Sequence, residues 1–577
     1  MTGRRPDLHE APFAPVFRAP EQVTRREFWL AVAFLGIGFV FRLFYAWHYP
    51  IDSDEPQHLH VVWTWARGLL PYRDEFDNHS PLFQTLYAPL FRLLGERADI
   101  LLPMRVAELP LFALTIYCVW KIAAALYSPR TALWTAVLTA LFPPFYLSSI
   151  EFRPDQLWTL VWLLMLLVLG TGRITVRRAL LAGVLCGVAF SVSMKSTLLL
   201  AALAQAGLGA ILVRRVSGGF PLVWPRLLRC AGAGLVGIVI VPAVIVLFFY
   251  GHGAQWNLYY GVIEHNILPS GTAHAVGFGA LKRWVPGVLM AAAGGYIIVR
   301  LERPIVVRTR ISFIFFAALL YLETLRAIWP VITAEDYLPF YPAMMLTAAP
   351  ALLWLAQFAL HGMRFPTGAA LAGVEVISFL ALVSPFQDKT GDKIGMVADT
   401  LKLTAPGDYV MDSKGESIYR RRPYYYVFES LTNHRVKEGK VKDDIAAHLI
   451  STRTPLAASN FRMPHKGRTF IKENYVPIAW RLRVLGKFLR KEGEKTAGPC
   501  TFDVAVPQRY TLITLAGTPA GTLDGTPFTG PRELSAGQHT FVPSAPTGRL
   551  VLIWAKALEQ GYSPFARIKE DYKSDRD

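Results

Sequence analysis

The chain has 577 residues, of which 53% are hydrophobic and 18% charged, and its formal net charge is +18. Soluble domains carry about 25% charged residues, and a mean hydropathy of +0.32 over this length is typical of an integral membrane protein. This composition excludes a fully soluble enzyme and a disordered chain. Four cysteines are too few for a disulfide framework.

Long apolar segments recur from Phe28 to Ser384. A helix needs roughly 20 apolar residues to cross the hydrocarbon core of a bilayer, so these segments predict a polytopic α-helical membrane protein with about eleven spans. The predicted spans are 28–47, 105–126, 131–148, 155–170, 179–194, 197–213, 230–250, 284–300, 311–329, 337–360 and 366–384.

Arginine and lysine residues concentrate on alternate loops between these spans. Because cytoplasmic loops carry the excess of basic residues, this pattern places residues 1–27 in the cytoplasm and the large loops 48–104 and 251–283 outside. The excess positive charge is thus explained by membrane topology, and we expect no nucleic-acid partner. The membrane domain is predicted to cover residues 28–385.

The composition changes from residue 386 onward, where charge rises and long apolar runs end. Residues 386–577 are predicted to form a soluble domain outside the membrane, first α/β and then β-sandwich-like. Short strands are expected at 408–412, 510–515 and 549–554. Asp524-Gly525 predicts a type I′ hairpin turn, which needs a positive φ at both central positions.

The first outer loop begins with two carboxylates, Asp54 and Glu55, directly after the first span. An amphipathic stretch predicts a helix over 56–69, and a helix N-terminus favours carboxylates through its dipole. A carboxylate at the membrane surface can act as a general base. The alternative interpretation is a solvated acidic loop.

Other charged residues fall at the outer ends of different spans. Arg153 and Asp155 open the fourth span, and Lys195 lies in the next outer turn. Lysine there either contacts phosphate or extends to the membrane interface. Further candidates in the outer loops or at span ends are Asp77, His79, His265, Asp336 and Tyr337.

These positions indicate a reaction at the outer membrane surface between a phosphate-bearing lipid and a polar acceptor. The sequence contains neither a G-x-x-x-x-G-K-[ST] loop nor a dinucleotide-binding fingerprint. The lack of both motifs argues against a transport ATPase and against an enzyme that uses a soluble nucleotide sugar in the cytoplasm.

Asp54-Glu55 after the first span resembles the Asp-Glu signature of the GT-C superfamily of membrane glycosyltransferases. The resemblance is to the protein O-mannosyltransferase-like and lipid A aminoarabinose transferase-like branch and covers roughly residues 28–384. Supporting motifs are Gly68-Leu-Leu-Pro-Tyr72, Asn78-His-Ser-Pro-Leu82, Arg153-Pro-Asp155 and Tyr337-Leu-Pro-Phe-Tyr-Pro342. The chain departs from relatives that have Lys-Pro-Pro where His79-Ser-Pro stands, and Arg or His where Asp336 stands.

The resemblance implies an inverting glycosyltransferase of a bacterial inner membrane with its active site facing the periplasm. It would move a hexose or pentose from a polyprenyl-phosphate donor to a glycan, lipid or protein acceptor. The implied catalytic residues are Asp54 (the base), Glu55 and Asp155; those implied for donor phosphate are Lys195, Arg153 and His79; those implied for substrate are Asp77, His265, Asp336 and Tyr337. No cofactor is expected, and a divalent metal stays open because carboxylates cluster.

Two other functions remain open from the residues alone. A transporter or flippase of a lipid-linked precursor would place polar residues near the membrane midplane, and a scaffold for envelope assembly would work through the C-terminal domain. Proximity of Asp54, Asp155 and Lys195 in the fold would favour the enzyme.

Overall fold

The computed structural model describes residues 22–218, 223–267, 278–329, 332–359, 366–458, 462–490 and 497–566. The parts of the predicted domains outside these ranges are residues 1–21, 219–222, 268–277, 330–331, 360–365, 459–461, 491–496 and 567–577.

The N-terminal part of the chain folds into α-helices. In chain order they are α1 (Arg25–His48), α2 (Asp54–Ala66), α3 (Leu82–Leu94), α4 (Leu101–Ala107), α5 (Leu109–Leu126), α6 (Pro129–Leu141), α7 (Pro143–Ser148), α8 (Pro154–Gly170), α9 (Val176–Val192), α10 (Ser196–Val216), α11 (Trp224–Gly251), α12 (Gln255–Tyr259), α13 (Phe278–Arg300), α14 (Ile305–Ile328), α15 (Phe340–Ala359) and α16 (Thr367–Leu382). A π-helical turn (Tyr260–Glu264) follows α12, and a 3₁₀ turn (Ala334–Tyr337) precedes α15.

Each predicted span coincides with one helix or with two consecutive helices, such as α4 and α5 for the second span. In the described part of the chain, five segments are long and apolar enough to cross a membrane: Arg25–His48, Leu101–Leu126, Ser196–Val216, Trp224–Gly251 and Ile305–Ile328. Shorter apolar helices occupy 154–170, 285–300 and 367–382. The protein is a multi-pass membrane protein, and the number of eleven spans stays a prediction.

Helix α11 is strongly apolar but little buried. Only 11% of the residues in its 18-residue apolar segment are buried inside the protein. Its exposed side chains therefore face lipid. It packs against α9 through glycine: a Cβ on Gly183 would lie 2.1 Å from the carbonyl oxygen of Gly234. Small residues permit such close approach between membrane helices.

The C-terminal domain contains the helices α17 (Gly391–Leu403), α18 (Ser430–Lys437), α19 (Ile445–Ser451), α20 (His465–Asn474) and α21 (Ala555–Glu559). Its strands are β1 (Val410–Met411), β2 (Leu456–Ala458), β3 (Tyr475–Ala479), β4 (Leu482–Arg490), β5 (Cys500–Val504), β6 (Gln508–Thr514), β7 (Gly521–Leu523), β8 (Thr526–Pro527), β9 (Arg532–Leu534), β10 (Gly537–Pro543) and β11 (Leu550–Trp554).

These strands form two sheets. A seven-stranded sheet has the order β1-β2-β4-β11-β6-β9, with β3 also paired to β4, and a four-stranded sheet has the order β5-β10-β7-β8. Both sheets contribute to one hydrophobic core. The turn between β7 and β8 has φ values of 52° at Asp524 and 75° at Gly525, as the predicted type I′ turn requires.

The C-terminal domain packs directly on the first outer loop. The Tyr419 side chain joins the hydrophobic core of the membrane domain, and its hydroxyl donates to the carbonyl oxygen of Arg97 at 2.9 Å. The carbonyl oxygen of Ile418 lies 2.9 Å from Nδ1 of His60 on α2. Residues of the C-terminal domain are thereby held next to the start of α2.

Candidate active site

The site begins at Asp54, the first residue of α2. The side chain of Asp52 accepts a hydrogen bond from the backbone N–H of Asp54 at 2.8 Å, which fixes the start of the helix. One carboxylate oxygen of Asp54 pairs with Lys414, and the other lies 3.0 Å from Arg153. The Asp54 side chain keeps 25% of its surface exposed, so a substrate can reach it.

Lys414 comes from the loop after β1, and the sequence explains how that loop is fixed. The buried carboxylate of Asp412 accepts hydrogen bonds from the backbone N–H groups of Gly415 (2.7 Å) and Ser417 (2.8 Å). Gly415 has φ +79° and packs so closely on His60 that a Cβ would lie 2.7 Å from the Cβ of that histidine. A side chain there would therefore displace Lys414 from Asp54.

Arg153 is the centre of the site. It precedes Pro154, the first residue of α8, and has the extended backbone that the residue before proline favours. The guanidinium contacts five carboxylates: Asp52 at 3.1 Å, Asp54 at 3.0 Å, Glu151 at 3.4 Å, Asp155 at 3.4 Å and Glu335 at 2.5 Å.

Lys195 extends the site to the tenth predicted span. It immediately precedes α10, pairs with the buried Asp336, and lies 3.9 Å from Asp155. Asp336 in turn caps the 3₁₀ turn, because its carboxylate accepts from the backbone N–H of Thr333 at 2.9 Å. The sequence predictions Asp54, Arg153, Asp155, Lys195 and Asp336 are thus brought together.

We call these linked side chains the charge network; its members are Asp52, Asp54, Glu151, Arg153, Asp155, Lys195, Glu335, Asp336 and Lys414. It holds six carboxyl groups and three cationic side chains. Among the residues that the structure describes, no group of three or more His, Cys, Asp or Glu side chains is arranged to hold a metal ion. We assign no metal ligand, and metal dependence stays a prediction.

The charge state of Asp54 follows from its neighbours. Burial would raise the pKa of Asp54, but the positive charges of Arg153 and Lys414 outweigh it and hold that pKa well below its ordinary value. Burial would likewise lower the pKa of Lys195, but the Asp155 and Asp336 carboxylates raise it overall. At neutral pH the network therefore contains an ionised Asp54 and a protonated Lys195.

Glu55 differs from its neighbour because it is fully buried. Its carboxylate forms two hydrogen bonds with Arg105, at 2.8 and 2.6 Å, and also accepts the backbone N–H of Phe152 at 2.8 Å. These contacts tie α2 to α4 and to the segment before α8. The geometry favours a positioning role for Glu55 and leaves Asp54 as the accessible carboxylate.

The first-loop candidates lie beside α2. The buried carboxylate of Asp77 is 2.9 Å from Nδ1 of His79, and the His79 ring meets the His58 ring of α2 at 4.5 Å between centroids. Asp77 therefore orients His79, whose side chain is 29% exposed. Tyr337 follows Asp336 and stacks on Tyr341 with 6.3 Å between ring centroids.

The structure places His265 away from the charge network. Its side chain is completely buried, and its Nε2 lies 3.0 Å from Glu429 of the C-terminal domain. The same nitrogen is 3.3 Å from the hydroxyl of Thr432. His265 thus joins the second outer loop to the C-terminal domain, and its role in substrate binding stays a prediction.

Sequence reasoning missed Lys414 as a site residue, although it lies in a polar turn after a correctly predicted strand. Nothing in that turn indicates a partner 360 positions away, and only the docking of the two domains supplies it. Glu151 and Glu335 could have been suspected from the sequence. Glu151 lies close to the Arg153-Pro-Asp155 motif, and Glu335 directly precedes Asp336.

Glu151 leads to a prediction about alkaline pH. Burial and the neighbouring Glu55 raise the pKa of Glu151 to about 8, while Arg153 acts in the opposite direction. Glu151 is therefore mostly neutral at pH 7 and ionises above pH 8, where it competes with Asp54 for Arg153. We expect kcat/KM to fall above about pH 8 and this fall to disappear in Glu151→Gln. An unchanged alkaline limb in the variant would contradict this assignment.

Comparisons with known proteins show what the chain is similar to. A family model described as dolichyl-phosphate-mannose-protein mannosyltransferase matches residues 78–245. The crystal structure of ArnT from Cupriavidus metallidurans in the apo state has 16% sequence identity and a TM-score of 0.52, covering 75% of this chain and 93% of that one. The resemblance to GT-C membrane glycosyltransferases is confirmed.

Further solved structures are also similar to this chain. ArnT from Cupriavidus metallidurans bound to undecaprenyl phosphate gives a TM-score of 0.52 at 14% identity, covering 74% of this chain and 92% of that one. The Archaeoglobus fulgidus oligosaccharyltransferase in the apo form gives 0.41 at 11% identity, covering 86% of this chain and 74% of that one. No curated protein matches this sequence significantly.

Proposed function

We propose that this protein is an inverting glycosyltransferase that moves a sugar from a polyprenyl-phosphate donor to a polar acceptor, with Asp54 as the general base. The observation that carries the proposal is a partly exposed, ionised Asp54 linked through Arg153 and Asp155 to Lys195. The GT-C fold supports it, as does the neighbour ArnT, whose structure was determined with undecaprenyl phosphate bound.

The proposed reaction is a single displacement. The acceptor oxygen or nitrogen bonds to the anomeric carbon of the sugar while its proton passes to Asp54. The bond between that carbon and the phosphate oxygen breaks on the opposite face, so the configuration inverts and polyprenyl phosphate departs. Lys195 and Arg153 stabilise the negative charge that develops on the phosphate.

In this structure both cations are already paired with carboxylates. The donor phosphate must therefore replace Asp336 or Asp155 as the partner of Lys195. This exchange costs little, since one anionic partner replaces another, and it makes donor binding depend on the lysine charge. His79 is the third candidate for the phosphate and Tyr337 for the sugar, with Asp77 holding the histidine.

We expect Lys195→Gln to weaken use of the donor. A hydrogen bond to a charged group contributes about 1.5–3 kcal/mol, which corresponds to roughly a 10- to 150-fold rise in donor KM. Steady-state kinetics with donor and acceptor varied in turn would measure it. Lys195→Arg, which keeps the charge, should retain most donor use, whereas equal losses for both substrates would indicate a structural role.

The low pKa of Asp54 bears on how the base works. A carboxylate stabilised by two cations is a weak proton acceptor, so the acceptor hydroxyl or amine is proposed to displace Lys414 from Asp54 before the proton moves. Loss of one cation makes the carboxylate more basic, and proton transfer then accompanies bond formation. Lys414 is thus a positioning residue for Asp54.

We expect Lys414→Met to move the acid limb of the pH–rate profile upward. Removing this cation leaves burial and Arg153 acting on Asp54, so the pKa of the carboxyl group rises and activity is lost at a higher pH than in the wild type. The measurement is kcat/KM between pH 4 and pH 8, with Lys402→Met as a control on an exposed lysine of the same domain. Superimposable profiles would refute the role of Lys414.

The experiment that tests the function uses the purified protein in nanodiscs. Undecaprenyl-phosphate sugars labelled in the sugar are supplied with envelope extracts, and label transfer and release of undecaprenyl phosphate are followed together. NMR of the product reports the anomeric configuration, and retention would refute the inverting mechanism. Movement of a fluorescent polyprenyl phosphate across vesicles without transfer would instead support a flippase.

The proposed location is a bacterial inner membrane with the charge network on the periplasmic side. The support is the basic character of the alternate loops, which marks the opposite side as cytoplasmic. Alkaline phosphatase fused after residue 566 should be active in cells. A fluorescent cytoplasmic fusion at the same point would overturn both the orientation and the predicted span count.

A further inference from the structure

A cavity of about 340 Å³ lies between the first outer loop and the C-terminal domain. Ser53, which directly precedes Asp54, forms part of its wall, so the cavity opens beside the candidate base. Its size falls in the range of small-molecule sites, which is about 300–1,000 Å³. The cavity is separate from Lys195, which lies beyond Arg153 in the charge network.

The cavity wall is mainly apolar. Pro56, Leu59 and Leu101 line it from the membrane domain, and Met396 and Val397 line it from α17. Trp480, at the turn between β3 and β4, adds a large aromatic surface. A ligand of this cavity must therefore present an apolar body.

The polar part of the wall is cationic. Arg462 donates to the hydroxyl of Ser53 at 3.2 Å, and the Arg481 guanidinium lies 4.8 Å from the ring centroid of Trp480. Both guanidinium groups keep their charge at any working pH. The carboxyl group in the same wall is Glu416, whose pKa is raised by burial and by Asp412. The wall therefore attracts anions.

We propose that this cavity binds the acceptor, and that the acceptor carries a phosphate or carboxylate that pairs with Arg462 and Arg481 while its apolar body packs on Trp480. The proposal rests on the proposed function for the choice of acceptor over donor. Donor phosphate is assigned to Lys195, which is linked to Asp54 through Asp155 and Arg153. The cavity wall instead includes Ser53, the residue next to Asp54, and the acceptor is the substrate that must reach the base. The specificity-determining residues are then supplied by the C-terminal domain.

Binding of small probes tests the chemistry without any transfer reaction. The full chain in nanodiscs is saturated with undecaprenyl phosphate to fill the donor site, and phenyl phosphate, benzoate and benzyl alcohol are titrated by calorimetry. We expect the two anions to bind at least tenfold more tightly than the alcohol. Preference for phosphate over carboxylate, or the reverse, identifies the anionic group of the acceptor. Equal binding of all three probes would overturn the proposal.

Variants locate the binding. Arg462→Ala and Trp480→Ala should each weaken phenyl phosphate binding at least tenfold, and Arg509→Ala, which removes an exposed arginine of the same domain, should not change it. Arg481→Gln provides a second charge variant if Arg462→Ala is unstable by thermal denaturation. Wild-type affinity in Arg462→Ala and Arg481→Gln would overturn the proposal.

The kinetic prediction separates this proposal from the proposed function. In a transfer assay, Arg462→Ala should raise the acceptor KM at least tenfold and leave the donor KM unchanged. If the wild type transfers no sugar but the probe binding depends on Arg462, the proposed function fails and the anion site remains. If transfer occurs and Arg462→Ala alters donor KM alone, the site fails and the function remains.

Discussion

Asp54→Asn should reduce transfer by about 10²–10⁴-fold, the contribution expected of a general base. The substitution keeps the shape of the side chain but removes its negative charge and its ability to accept a proton. The amide offers a single oxygen to Lys414 or Arg153, but Arg153 keeps its other carboxylates, so the protein should remain folded. Initial rates at saturating donor, with size-exclusion chromatography as the folding check, measure this effect.

A matched control comes from the same outer loop. Asp99 forms an ion pair with Arg97 at 2.5 Å, and both side chains are about two-fifths exposed. Asp99→Asn removes the same charge outside the charge network and should leave the rate within a factor of about two, because exposed ion pairs contribute about 0–1 kcal/mol. Near-wild-type activity of purified Asp54→Asn would remove Asp54 as the base.

Arg105→Met should destabilise the protein strongly. Arg105 and Glu55 are both fully buried and share two hydrogen bonds, and removing one partner of a buried pair costs about 3–5 kcal/mol because the other charge is left unpaired. Arg105 also donates to the carbonyl oxygens of Tyr49 (2.9 Å) and Pro50 (3.0 Å), which lie between α1 and α2. Activity should fall as well, since the start of α2 carries Asp54.

Thermal denaturation in detergent would measure this loss. The double variant Arg105→Met with Glu55→Gln removes both charges and should recover part of the stability, whereas Arg97→Met at the exposed pair should have little effect. If Arg105→Met melts with the wild type, Glu55 is not held by this pair. The double variant also separates the role of Glu55 from that of Asp54, because recovered activity would show that the Glu55 carboxylate is dispensable for chemistry.

The helices of the membrane domain were largely predictable from the sequence. Long apolar segments have few alternatives to a helix in lipid, where each backbone polar group must be bonded within the segment. The eleven predicted segments accordingly coincide with helices such as α1, α11 and α14. Short helices within the outer loops, including α3 and α12, lack that constraint and were not predicted.

The candidate site was predictable only in part. Asp54, Arg153, Asp155, Lys195 and Asp336 were identified because each carries charge at the outer end of an apolar segment, where charge is costly without a partner. The alternation of basic loops along the chain predicts that all five residues lie on the same side of the membrane. The burial of His265 could not be predicted in this way, because a position in an outer loop does not reveal that another domain covers it.

The sequence by itself determined the membrane class and the helical segments, and it predicts the outer side for the charged residues, since these depend on hydropathy and charge counted along the chain. The tertiary structure decided which charges meet. Lys414, Arg462 and Trp480 belong to a different domain from Asp54, and only its docking on the first outer loop brings them to the start of α2. Local patterns carry no record of such contacts, because the packing of two folded surfaces creates them.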